Sequence, residues 1–230
     1  MRIPALLALL ALSAACSDRS QVNSTALVAA AEAATLPATA NAQQPVADPL
    51  TAAADKGRIG GAETAKVWLI VVSDFQCPYC KTWHDESYPT LKKDYVDSGK
   101  IRIAHVNFPL RIHPNATPAA LVAMCASAQG KFWPAHDRIF ATQDAWKGLS
   151  DPNKFLDSVV VAAGADAAKL KECRAGDKLM PLIKADQANA TSSGAQSTPT
   201  FFVNGRPIIG AQPVAVFRKV IDSVLAATPR

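Results

Sequence analysis

Cys77-Pro78-Tyr79-Cys80 sets two thiols three positions apart, a spacing that brings both sulfurs to one helical turn and lets them join and part as a disulfide. Pro78 suits a first helical turn, where its missing N–H costs nothing. Cys77 then falls at the helix N-terminus, where free backbone N–H groups and the helix dipole stabilise a thiolate. Cys80 lies one turn further in, shielded, and able to attack a mixed disulfide formed at Cys77. The rival chemistry for such a pair is half of a structural zinc site, which needs four ligands, normally from a second CxxC or a paired histidine motif. Neither is present: Cys125 and Cys173 stand singly, and His84, His105, His113 and His136 show no ligand spacing. His84, four residues beyond Cys80, would complete only a three-ligand site. A purely structural Cys77–Cys80 bridge closes too small a ring to stabilise much. Redox chemistry, without metal or cofactor, is the reading these residues favour.

The elements around the pair fit that chemistry. Val67–Val72 is a continuous apolar, β-prone run, as expected of a central strand buried on both faces. Lys81–Ser98 reads as a helix ending near Gly99. Near the C-terminus, Thr200–Val203 and Pro207–Ile209 read as a short hairpin around Asn204-Gly205, a strong two-residue turn signal. Val214–Ala227 supplies a final amphipathic helix. Pro199, just before the hairpin, reads on its own as an ordinary trans proline at a strand start.

The strand–CPYC–helix unit together with the distant Thr198-Pro199-Thr200-Phe201-Phe202-Val203-Asn204-Gly205 resembles the DsbA-like thiol–disulfide oxidoreductase family. The similarity continues through Phe108–Ala116 and through Ala123–Phe140, and covers roughly residues 63–226. It implies an α/β thioredoxin fold with an all-helical insertion between its two halves, at about 110–195. It implies a cis Thr198–Pro199 peptide facing Cys77. Cys77 becomes the exposed nucleophile and Cys80 the resolving cysteine. Thr198 offers backbone to an extended substrate, with Pro78, Tyr79 and Pro199 lining the substrate site. CPYC also occurs in glutaredoxins, against which the insertion and the TPTFFVNG strand argue.

Two positions distinguish this chain within the resemblance. Many relatives bury a glutamate six residues before the first catalytic cysteine; here that position is Val71, and the nearby Asp74 is expected on a solvated loop. Tyr79 replaces the histidine of the strongest oxidants, which implies a less extreme potential. Cys125 and Cys173, on segments read as helices Pro114–Gln129 and Ala165–Arg174, are each buried apolar cysteines when taken singly. A second bridge in some relatives implies a 125–173 disulfide. Among Trp83, Phe132, Trp133, Phe140 and Trp146, core packing is the expectation, with Trp146 the most exposed. His113 reads as a helix-start residue.

Residues 1–56 hold no aromatic and no glycine, and alanine fills 18 of those 56 positions. Residues 1–15 read as a signal peptide of lipoprotein type, with Cys16 the lipidated residue, and 16–56 as a flexible low-complexity tether. Residues 57–230 form the folded domain. Export places the remaining cysteines where disulfides persist. The domain's 21 Lys/Arg against 15 Asp/Glu are spread without a cluster, which argues against nucleic-acid binding. The expected partners are proteins carrying cysteine thiols or disulfides and a membrane redox partner. The expected state is a monomer in the bacterial periplasm, held to a membrane by the lipid on Cys16.

Overall fold

The computed structural model of the protein describes residues 48–229. The signal segment, Cys16 and the tether as far as residue 47 lie outside them. Five strands form one sheet: β1 (Ile59–Gly60), β2 (Val67–Ser73), β3 (Ile101–Asn107), β4 (Thr200–Val203) and β5 (Arg206–Ile209), in the order β1-β3-β2-β4-β5. β2 is central, parallel to β3 with Val71 opposite His105 and antiparallel to β4 with Val71 opposite Phe201. β4 and β5 form the expected hairpin, Asn204 and Gly205 both taking the positive φ that its tight turn requires. Between β3 and β4 run the helices α4 (Ala116–Ser127), α5 (Phe132–Ala141), α6 (Gln143–Trp146), α7 (Asn153–Ala162), α8 (Ala167–Ala175) and α9 (Met180–Ser192), and α10 (Val214–Ala227) closes the chain. This is the α/β thioredoxin fold with a helical insertion.

Three features differ from the sequence reading. The tether does not extend to residue 56, because Pro49–Gly57 forms helix α1. Asp48 caps it by accepting the Thr51 N–H, Pro49 occupies its first turn, and Ala54 is fully buried. A side chain at Gly57 would collide with the Ser127 carbonyl of α4, which explains glycine at the α1 end. The Lys81–Ser98 helix is broken into α2 (Pro78–Glu86), α3 (Tyr88–Leu91) and a π-helical turn Lys92–Val96. Pro89 has no N–H for the preceding turn and its ring crowds the carbonyl four residues back, so the helix restarts at Tyr88. The strand expected to be buried on both faces is half-buried at Trp68 and Ile70, where Arg102 stacks over the Trp68 ring at 4.2 Å.

Helix α2 sits between two apolar clusters. Trp83 packs with Tyr88, Phe201 and Phe217 between the sheet and α10. Cys77 and Cys80 belong instead to the core of the insertion, with Phe75, Phe140 and Trp146. Trp146 is therefore fully buried, contrary to its expected exposure, and its indole N–H donates to the Ile139 carbonyl. In the same core a disulfide joins Cys125 of α4 to Cys173 of α8, with Cα atoms 5.8 Å apart at a sequence separation of 48. A loop of that length corresponds to about 4 kcal/mol in the chain-entropy account. Replacing both cysteines by alanine is expected to lower unfolding free energy by about 2–4 kcal/mol, measured by urea denaturation.

Candidate active site

Cys77 is the N-cap of α2, with extended backbone (φ −67°, ψ 125°), and Pro78 opens the helix. An N-cap residue looks directly onto the unsatisfied N–H groups of the first turn. Both cysteines are free thiols. The Cys80 thiol, followed by the Thr198 hydroxyl and the N–H groups of Cys80 and Tyr79, draws the Cys77 pKa from 9.0 down to about 6, against the opposing effect of burial. Burial, reinforced by the Cys77 sulfur beside it, pushes the Cys80 thiol well above its ordinary value, although the Asp74 N–H and Ser73 hydroxyl oppose this. One sulfur is thus held as a thiolate near neutral pH and its neighbour as a thiol.

Cys77 is less open than an exposed nucleophile: the residue is only 3% accessible. The cover is the loop before β4, where the Thr198–Pro199 peptide is cis and the Thr198 carbonyl lies 3.4 Å from Cys77 Sγ. Among the described residues the Thr198 hydroxyl has no conventional hydrogen-bond partner, which leaves it available to that sulfur. Tyr79, by contrast, is 67% exposed.

Several buried polar groups hold this geometry, and sequence reasoning missed most of them. Asp74 is buried rather than solvated. Its carboxylate accepts the N–H groups of Gln76 (2.7 Å) and Leu110 (2.8 Å) and lies 2.7 Å from His113 Nδ1, while its own N–H lies 3.5 Å from Cys80 Sγ. His113 thus ties to the redox loop rather than serving only a helix start. From α6, the buried Gln143 amide donates to the carbonyls of Phe75 (2.7 Å) and Cys77 (3.1 Å). Gln76 accepts the Asn115 N–H, and the Asn115 side chain donates to the carbonyls of Trp146, Lys147 and Leu149. Asp74 stands three residues before Cys77 and was within reach of the motif; Gln143, 66 residues away, carries no sequence signal. At the place of the missing glutamate, Val71 pairs with His105, whose two ring nitrogens have no hydrogen-bond partner among the described residues and which burial keeps neutral.

With this geometry in view, the comparisons with known proteins decide the family. The family model described as Thioredoxin matches residues 53–223. The chain belongs to the thioredoxin family. It shares its fold with DsbA proteins: the crystal structure of α-DsbA1 from Wolbachia pipientis superposes with a TM-score of 0.66 at 23% identity, over 74% of this chain and 91% of that one. A Rickettsia conorii protein named as a protein-disulfide oxidoreductase is 31% identical over 141 residues, 60% of this chain and 50% of the relative. A segment of a Na(+)/H(+) antiporter from Salinispora tropica is 30% identical over 174 residues, 75% of this chain but 25% of the antiporter. The chain thus spans about a quarter of the length of the antiporters it matches.

Two outcomes follow from the site. The reduced protein should show a thiolate absorbance that titrates with a midpoint near pH 6 and disappears in Cys77→Ser; a midpoint near 9 would contradict the geometry. Because the folded pKa lies below the unfolded one, Cys77 stabilises the reduced fold fully above about pH 9, and this contribution is lost as pH falls through about 6. Asp74→Ala leaves the partly buried N–H groups of Gln76 and Leu110 without their acceptor and should cost about 1–3 kcal/mol of unfolding free energy, measured by chemical denaturation.

Proposed function

We propose that the protein is an exported thiol–disulfide oxidoreductase that forms disulfides in envelope proteins through Cys77 and Cys80. The observation that carries this reading is the asymmetry of the pair: Cys77 lowered to about 6 beside a buried, raised Cys80. A low-pKa thiolate is a good leaving group, so the reduced enzyme is favoured and the disulfide is an oxidant.

In the oxidising direction, a client thiolate attacks Cys77 Sγ of the Cys77–Cys80 disulfide. The S–S bond breaks, its electron pair goes to Cys80, and Cys80 takes up a proton to become the buried thiol. A second client thiolate then attacks the client sulfur of the mixed disulfide. The client leaves oxidised, Cys77 leaves as a thiolate, and two electrons remain on the pair. The Thr198 backbone receives an extended client segment beside Cys77, and the exposed Tyr79 ring supplies apolar contact. A membrane redox partner reoxidises the pair, and a lipid on Cys16 keeps the domain near it. Among the described residues no helix is long and apolar enough to cross a membrane. Reductase or isomerase activity would use the same residues in reverse, with a different electron donor.

Cys80→Ala should accumulate mixed disulfides between Cys77 and client proteins, resolved by non-reducing electrophoresis, and Cys77→Ala should accumulate none and lose activity. If the first variant traps nothing and the second keeps full activity, the proposal fails.

A further inference from the structure

Away from the thiol pair, nitrogen and carboxylate groups converge where α2 meets α5. His84 Nε2 lies 3.4 Å from Asp137 Oδ1, and His136 Nδ1 lies 2.8 Å from the same oxygen. One donor atom from each of the three residues falls within 4.8 Å of the others. We propose that His84, His136 and Asp137 bind a divalent transition-metal ion of the zinc class, joining the helix that carries the redox pair to the helical insertion. The site is separate from the redox reading and uses neither cysteine.

The donor set is chemically suited: two imidazoles and one carboxylate match zinc and its neighbours in the first row. Metal–ligand bonds of about 2.0–2.2 Å in a tetrahedron place neighbouring donor atoms about 3.3 Å apart. The His84–Asp137 separation already has this value, and the His136–Asp137 contact needs to open by about half an ångström.

Orientation supplies the stronger argument. Asp85 Oδ1 lies 2.8 Å from His84 Nδ1 and accepts its N–H. The other ring nitrogen, Nε2, is then the one that faces the Asp137 carboxylate. A carboxylate on the far nitrogen is also the arrangement that fixes the tautomer and rotation of metal-binding histidines.

The His136 ring is held among Phe75, Tyr88, Trp133 and Phe140, with ring centroids 5.0–5.7 Å away. Its nitrogen therefore needs little ordering to bind. The side chains of Asp137 and Asp85 are 45% and 44% accessible and that of His84 is 12% accessible, so an ion can enter from solvent and keep a water as its fourth ligand. On binding, the His136 ring changes tautomer, its proton passing from Nδ1 to Nε2 so that the neutral ring ligates through Nδ1, and nothing is oxidised or reduced. Because His84 and Asp137 are 53 residues apart, no sequence spacing announces the site.

The test uses the full chain carrying Cys77→Ser and Cys80→Ser, which removes ligation by the pair, titrated with Co(II) and back-titrated with Zn(II). The proposal expects one equivalent of bound cobalt with visible d–d bands, displaced by zinc, and shifted imidazole NMR resonances of His84 and His136. His84→Ala and Asp137→Ala should each weaken binding at least ~10-fold, with circular dichroism confirming that both are folded. Absence of cobalt bands with unmoved imidazole resonances in the parent would overturn it. Equal affinity in the parent and the two folded variants would overturn it as well.

Discussion

The site depends on one constraint: Cys77 Sγ occupies the N-terminal end of α2, where N–H groups of the first turn have no helical partner. The neighbouring Cys80 thiol favours the thiolate most, the Thr198 hydroxyl and those donors add to it, and burial opposes it without prevailing. One turn further along, the same helix carries Cys80 into an apolar core that favours the thiol. Identical side chains three residues apart thus acquire opposite protonation preferences from position alone. The pair is polarised by the fold itself.

Holding a sulfur in that place requires the loop before α2 to be rigid, and much of that rigidity comes from the insertion. Gln143 of α6 fixes the carbonyls on both sides of Gln76, and Asn115 ties the same loop to the segment after α6. Asp74 closes the network from within, bonded to Leu110 and His113 at the start of the insertion. The helices between β3 and β4 are in this sense a brace for the active-site loop as well as a cover over it. The Cys125–Cys173 bridge lies in the core of that brace.

Much of this was legible in the sequence. The 67–72 apolar run, the Asn204-Gly205 turn and the Val214–Ala227 periodicity are local signals, and local signals located β2, the β4–β5 hairpin and α10. Pro78 likewise announced the start of α2. Pro89 is just as visible in the sequence, and it is there that the helix expected over 81–98 is broken. The burial of Asp74 and Trp146 could not be read, because both depend on partners, Leu110 and Ile139, brought near by the fold. Gln143 and the His84–His136–Asp137 cluster are wholly products of tertiary structure: their partners lie more than fifty residues away or on another helix.

Polarisation of the pair is the central claim, and the reduction potential of the Cys77–Cys80 couple measures it most directly. Equilibrium with glutathione redox buffers at neutral pH gives the value. A thiolate stabilised as described predicts an oxidising couple, less negative than about −200 mV and short of the most oxidising values near −120 mV. A potential near −270 mV, the range of reducing dithiols, would contradict the account.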